Sequence, residues 1–240
     1  NPVISSVITE ELIDGIRYVW LKSSSYEGNG VGRIRNMLQF IVRLSGYVKK
    51  EIANQQIDAV IASSTYPLDI YAAHRVQKQH NARFIFEVHD LWPLSPMELG
   101  NIPAWHPYIR VMQKAENDAY RLCDAVVSLS PGAKDHMTAH GLQPSKFVWI
   151  PNGVNMEEWL NETVNLSDNY EVLIKLKETG QFIVGYAGTH GLANALEVLV
   201  QTAALTVAEK VAFVFVGQGP NKHDLIQKAS NLKNVYFLDP

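Results

Sequence analysis

Short apolar, β-branched runs alternate along this chain with longer stretches whose apolar residues recur every three or four positions. The runs predict strands at Ile16–Leu21, Asp58–Ala62, Arg83–Val88, Ala125–Leu129 and Phe147–Ile150, and again at Phe182–Ala187, Val211–Val216 and Val235–Leu238. Helical spacing falls on Val31–Asn54, Pro107–Arg121, Gly132–His140, Leu192–Val207 and Asn221–Leu232. Several runs are apolar throughout, Val211–Val216 most plainly, as in strands buried on both faces of a parallel sheet. Strand and helix in that cadence predict an α/β fold with a doubly wound sheet.

The rhythm breaks between Pro151 and Gly180, where Pro151-Asn152-Gly153 and a polar run through Asn161–Asn169 surround one predicted helix at Tyr170–Lys177. An interval of that kind reads as a domain junction. Three parts are expected: an amino-terminal α/β domain over residues 1–155, a linker region over 156–180, and a partial second α/β domain over 181–240. The second part holds only three predicted strands, a small sheet for an independent domain, with Val211–Val216 or its neighbour expected to be under-covered. The chain opens on Asn1-Pro2-Val3 and stops at Leu238-Asp239-Pro240, which reads as a piece of something longer.

Composition narrows the classes. Of 240 residues, 47% are hydrophobic and 19% charged, ordinary for a globular protein. A formal net charge of −3 gives no basic field to attract nucleic acid, so no such partner is expected. Cys123 is the single cysteine, which excludes an internal disulfide and favours a reducing compartment. It reads as a small buried apolar group. No apolar stretch approaches the roughly 18–20 residues of a membrane-spanning helix. A cytoplasmic location is expected.

The best local chemistry is Phe182-Ile-Val-Gly-Tyr-Ala-Gly188-Thr189-His190-Gly191-Leu-Ala-Asn194. A buried strand ends in two close glycines with a helix expected straight after, so backbone N–H groups and the helix dipole could meet a phosphate. A tight turn that binds nothing fits equally well. A second glycine turn, Gly217-Gln-Gly219-Pro220, follows the next strand, and open α/β sheets bind ligands at the carboxyl ends of their strands. Neither turn is a P-loop or a dinucleotide fingerprint.

Earlier in the chain, His89-Asp90 ends a predicted strand and Trp92 follows. His89 could donate a hydrogen bond to a sugar hydroxyl or leaving phosphate, with Asp90 orienting it and Trp92 offering a platform; a structural hydrogen bond is the plainer reading. Ser130-Pro131-Gly132 reads as a helix start with serine as cap. The histidines His74, His80, His106, His136, His140 and His223 show no His-Glu-x-x-His spacing, so no protein-bound zinc is expected. The helix from Val31 sets Ile34, Met37, Leu38, Ile41 and Val42 beside Arg33, Arg35, Arg43, Lys49 and Lys50. It is either a core-packed helix with a solvated basic face or a contact for an anionic membrane or lipid-pyrophosphate acceptor.

In order along the chain stand "EVHDLWP" from Glu87, "SLSPGAKDHMTAHG" from Ser128, "IPNGVN" from Ile150, "VGYAGTHG" from Val184 and "FVFVGQGP" from Phe213. This sequence resembles glycosyltransferase family 4, particularly members that build bacterial cell-surface polysaccharides. The resemblance implies a GT-B fold of two Rossmann-like domains, the second truncated here. It implies transfer, with retention of configuration and without a required metal or cofactor, from a nucleoside-diphosphate sugar as co-substrate. The sugar would be a hexose or N-acetylhexosamine type and the acceptor a glycan or polyprenyl-linked group, with peripheral contact at the inner membrane. His89 matches the position near the donor sugar, with Asp90 beside it. Asn152-Gly153 lies by the hinge. Gly188, Thr189, His190, Gly191 and Asn194, with Gly217 and Gly219, form the donor side.

Family members commonly place an arginine after the glycine turn and a lysine a few residues on; here Thr189 and Asn194 stand there. That leaves less charge to neutralise a diphosphate. The family's paired donor-site glutamates and its first glycine-rich loop are expected outside residues 1–240, leaving the piece catalytically incomplete. The alternatives are a non-catalytic nucleotide- or sugar-binding module on this scaffold and a nucleotide-sugar epimerase.

Overall fold

The computed structural model describes residues 6–26, 30–161 and 170–240. The polar run Asn161–Asn169 falls almost wholly outside them. The chain divides into two compact units between Gly153 and Val154.

The first unit opens with an antiparallel hairpin, β1 (Ile8–Ile13) and β2 (Ile16–Leu21), joined by Asp14-Gly15 with both φ angles positive at 52° and 80°. That two-residue turn suits the twist of the strands it joins. Ile16–Leu21 therefore belongs to a hairpin and not to the parallel sheet. Its partner β1 was not predicted, although Asp-Gly between alternating residues is its signal. Helix α1 (Val31–Glu51) follows, then β3 (Ala59–Ala62), a short 3₁₀ turn at Pro67–Asp69 and α2 (Ile70–His80). Next come β4 (Arg83–Val88), α3 (Leu94–Gly100), α4 (Pro107–Leu122), β5 (Ala125–Ser128), α5 (Ala133–Ala139) and β6 (Phe147–Trp149). Helix α2 has no counterpart in the sequence reading, yet its Ile70, Ala72, Ala73 and Val76 are buried.

Strands β3 to β6 pair in parallel in sequence order. Each new strand is added on the same side of the last, and parallel crossovers are right-handed, so the connecting helices share one face. Ala62, Phe84, Phe86, Val88 and Val126 accordingly pack against Ile70 and Ala73 of α2, Ala119 and Tyr120 of α4, and Met137 of α5. Helix α1 lies outside that layer, its Met37 meeting Leu68 and Met112 and its Val48 meeting Ala72 and Val76. The other face of the sheet presents Ile61, Ile85, Glu87 and Val127, none of them fully buried. Burial on both faces is thus not a property of these strands: β4 alternates, with Phe84, Phe86 and Val88 inward. Among the described residues of this unit, the connections from β3 to β6 all wind in one direction.

The second unit begins with α6 (Met156–Asn161) and α7 (Glu171–Glu178), then β7 (Phe182–Ala187), α8 (Glu197–Leu205), β8 (Val211–Val216), α9 (Lys222–Lys228) and β9 (Val235–Leu238). The strands run parallel in the order β7-β8-β9. Helix α7, within the segment read as linker, sets Leu176 against Ala212 and Val214 of β8. Helices α8 and α9 cover the opposite face, where Val200, Ala203 and Leu225 meet Phe213 and Phe215. Ala212 to Phe215 are all buried, so Val211–Val216 is covered from both sides, and of the two strands named in the expectation it is the neighbour that is under-covered. The exposed strand is β7, whose Phe182 is 68% accessible. Among the described residues no helix is long and apolar enough to cross a membrane.

Phe215 and Phe182 separate these environments. Phe215→Ala should lower unfolding free energy by about 3–5 kcal/mol, the usual cost of emptying a packed aromatic site. Phe182→Ala should stay within about 0.5 kcal/mol, as at other surface positions. Urea unfolding followed by far-ultraviolet circular dichroism reads both.

Candidate functional site

The four-stranded sheet of unit 1 and the three-stranded sheet of unit 2 are parallel, so the strands of each end on one edge, and the candidate residues of each unit collect there. In unit 2 the ends of β7 and β8 are the glycine turns. They back directly onto one another. Gly188 donates its N–H to the Val216 carbonyl at 2.9 Å, His190 donates to Gln218 at 2.9 Å, and Asn221 donates to His190 at 3.0 Å. A Cβ on Gly217 would lie 2.0 Å from the Gly188 carbonyl oxygen, and one on Gly219 would lie 2.5 Å from that of His190. Gly217 also has φ +145° and Gly188 has φ +150°, where a Cβ on Gly188 would touch the Tyr186 hydroxyl at 3.0 Å. Three of the four predicted glycines are therefore demanded by the packing of turn on turn and by backbone conformation. Gly191 differs: its φ is −114°, and a Cβ would make only ordinary contacts with Thr189 and Asn194 at 3.7 and 3.8 Å.

A helix does not begin straight after Gly191. Leu192–Asn194 form a 3₁₀ turn, Ala195 takes a left-handed φ of 47°, and α8 starts at Glu197. The predicted helix Leu192–Val207 is split there, and its dipole is set back from the turn. What holds the turn instead is the Thr189 carbonyl, which accepts from the Tyr186 hydroxyl at 2.9 Å, from Asn194 Nδ2 at 2.7 Å and from the Gly191 N–H at 2.9 Å. Asn194 braces the turn. His190 has no solvent exposure at all: its ring packs among Tyr186, Phe215 and Phe237, with both nitrogens lacking a hydrogen bond among the described residues. Burial, and then the Lys222 charge, push its pKa below the ordinary imidazole value. Its backbone serves the turn and its side chain serves the core.

The amide N–H groups of Thr189, Gln218 and Gly219 find no acceptor among the described residues. Successive free amides at a strand end suit an anion. The basic residue at that edge lies outside the predicted set. Lys222, in the first turn of α9, donates to the Gly217 carbonyl at 2.8 Å and to Asp239 Oδ1 at 2.6 Å. The Lys222 ammonium holds the Asp239 carboxyl below the usual carboxylate range. Its position two residues after Gly219-Pro220 is the signal the sequence carries.

In unit 1, His89 follows β4 on the sheet face that carries Glu87. Asp90 does not orient it. Its Nε2 lies 2.9 Å from Ser63 Oγ and 3.6 Å from Glu87 Oε2, while the Ser63 hydroxyl donates to Glu87. Because that single hydroxyl hydrogen goes to the carboxylate, Ser63 Oγ accepts from His89 Nε2–H. In the neutral ring Nδ1 is then the acceptor, and it makes no hydrogen bond among the described residues. Asp90 is exposed and shares a small recess with Ser64, Trp92, Glu116 and Tyr120. Trp92, read as a platform, has the Arg33 guanidinium 5.7 Å from its ring centroid and Tyr108 packed edge-on at 6.3 Å.

The remaining expectations divide. Cys123 is buried and bonded to the Tyr120 carbonyl, and burial pushes its thiol up to about 11, as for a core residue. Ser130 does not cap α5: Gly132 holds the cap position with no side-chain hydrogen bond. The sequence model for Glycosyltransferase Family 4 matches residues 10–158, more than half of the chain. The chain belongs to glycosyltransferase family 4.

No curated protein matches this sequence. Among solved structures, HepE of Anabaena, determined with UDP and glucose, is similar with a TM-score of 0.59 at 16% identity over 88% of this chain and 53% of that one. Sucrose-phosphate synthase of Thermosynechococcus elongatus gives 0.66 at 16% identity, covering 98% and 57%. A glycosyltransferase of Rickettsia africae gives 0.52 at 19% identity, covering 91% and 54%. Identities this low carry the fold and nothing finer: α/β with parallel sheets in two Rossmann-like units, of the GT-B type. The chain spans about half the length of these solved structures.

The contrast among the glycines is testable. Gly217→Ala should cost at least about 1–3 kcal/mol of stability from backbone strain alone, before its clash with Gly188. Gly191→Ala should leave the urea midpoint of unfolding nearly unchanged. If Gly217→Ala were as stable as the parent, the packing of turn on turn would not be what requires glycine there.

Proposed function

We propose that this protein is a retaining glycosyltransferase that moves a hexose or N-acetylhexosamine-type sugar from a nucleoside-diphosphate sugar to a glycan or polyprenyl-linked acceptor in cell-surface polysaccharide synthesis. The observation that supports it most is the edge of unit 2, where unpaired amides of Thr189, Gln218 and Gly219 stand beside Lys222. In this reading the amides meet the diphosphate oxygens, and Gly191 lets the donor approach without a side chain in its path. Lys222 is the basic residue of that edge, its ammonium shared between Asp239 and the Gly217 carbonyl. Charge gathers on the departing diphosphate in the transition state, so fixed donors at that place lower the barrier. No metal or cofactor is needed in this scheme. HepE, with the same fold, was determined with UDP, which agrees with a nucleotide as the ligand class.

In unit 1, His89 hydrogen-bonds a sugar hydroxyl through Nδ1, with Ser63 and Glu87 fixing the ring. His89→Ala in the intact protein should lower kcat by roughly 10²–10³, equivalent to about 2–4 kcal/mol of transition-state stabilisation, while thermal stability holds. Gly191→Val should weaken nucleotide-sugar binding by calorimetry without unfolding unit 2. Unchanged affinity in a folded Gly191→Val protein would remove the donor assignment.

The location proposed is the cytoplasmic face of the inner membrane, with α1 as the contact. Its inner stripe is core, but Val31, Leu38 and Val42 are exposed in an open apolar groove flanked by Arg35 and Arg43. An apolar stripe beside basic residues suits an anionic bilayer surface. The double variant Leu38→Glu, Val42→Glu should lose sedimentation with phosphatidylglycerol vesicles and keep its melting temperature. Equal sedimentation of the variant and the parent would exclude this helix as the contact.

A further inference from the structure

Glu116 is a deeply buried carboxylate, 2% accessible, for which the proposed reaction has no use. It stands on α4, and its oxygens are already held. Tyr120 donates its hydroxyl to Oε1 at 2.8 Å, and Gln113 donates Nε2 to Oε2 at 2.6 Å. Both donors are neutral. Burying a carboxylate is expensive unless a cation compensates it. The one ion-pair partner among the described residues is His136 of α5, with Nε2 3.2 Å from Oε1.

Helix α5 adds a second imidazole. His136 and His140 are four residues apart, hence on one helix face, and their ring centroids are 4.1 Å apart. His140 donates Nδ1–H to the His136 carbonyl at 2.8 Å, which orients that ring and leaves its Nε2 lone pair available. One carboxylate oxygen and one nitrogen from each ring lie within 4.8 Å of one another. A tetrahedral zinc ion with bonds of about 2.0–2.1 Å spaces its ligand atoms about 3.3 Å apart. The Glu116–His136 pair is already at that spacing, and a His140 nitrogen lies within 4.8 Å of both.

We propose that Glu116, His136 and His140 form a binding site for one divalent cation of the zinc class, with a fourth coordination position left to water, which ties α4 to α5. Two imidazoles and a carboxylate select zinc, cobalt or nickel over magnesium and calcium, which take oxygen ligands. The outer partners Tyr120 and Gln113 aim the carboxylate, as outer-shell groups do in metal sites. Sequence spacing alone did not find it. His136 and His140 have the separation of a zinc-binding helix, but the carboxylate comes from a different helix 20 residues earlier.

The test uses untagged, metal-free protein titrated with zinc chloride by calorimetry, with melting temperature followed in parallel. The expected result is one ion per chain, a melting temperature that rises with zinc, and no response to magnesium. Cobalt should give the visible absorption bands of a tetrahedral site. His140→Ala and His140→Gln, at a half-exposed position, should fold as shown by circular dichroism. They should lose more than the roughly 10–100-fold in zinc affinity that removal of an outer-shell partner costs. No zinc-dependent change in the parent would overturn the site, leaving a His136–Glu116 ion pair only. Zinc affinity that survives both His140 variants would overturn it equally, since the ion would then be held elsewhere.

Discussion

The Gly188 carbonyl occupies the space where a side chain at position 217 would have to be. That exclusion organises unit 2. It presses the turn after β7 against the turn after β8, so the two share hydrogen bonds through Val216, Gln218 and His190. The ring of His190 is thereby driven down among Phe215 and Phe237, where it closes the end of the core. The same contact leaves amides of both turns without partners at one edge of the sheet. Core closure and ligand edge are two consequences of one close approach between backbones.

Unit 1 reaches a comparable result by different means. Its sheet is covered on one face by α2, α4 and α5, and the strand ends carry polar groups upward from the other. Ser63, Glu87 and His89 meet there because β3 and β4 are in register, with Ile61 beside Ile85. A serine two residues past Ile61 and a histidine two past Glu87 then share a face. The single hydroxyl hydrogen of Ser63, given to Glu87, decides which nitrogen of His89 is left to act. Neighbouring loops are not idle spacers. Arg33 over Trp92 links α1 to the loop after β4, so the helix with the exposed apolar groove also supports the candidate catalytic segment.

Membership of glycosyltransferase family 4 and the fold similarities agree with this picture at the level of architecture. The finer chemistry rests on local geometry. In place of the basic pair expected from the resemblance, this chain has a threonine and an asparagine that brace the turn, with Lys222 bound to the carbonyl of Gly217. The cluster of Glu116, His136 and His140 stands apart from both strand-end sites in kind: it joins two helices.

Much of this was legible in the amino-acid sequence. The parallel strands from β3 to β9, the α/β class and both glycine turns follow from short-range patterns, because apolar period and glycine placement reflect the backbone locally. Asp14-Gly15 shows that a legible signal can still be passed over. What the tertiary structure alone decided depends on residues distant in sequence. The role of Gly217 is set by Gly188, the proton of His89 by Ser63 and Glu87, and the surroundings of Glu116 by a helix 20 residues on. Asp90 lay next to His89 in the chain and was the natural guess for its partner. In a strand, neighbours in sequence point to opposite faces, and partners come from the adjacent strand. Coverage of the sheets was equally hidden: an apolar run looks the same whether helices lie on one face, as over β4, or on both, as over β8.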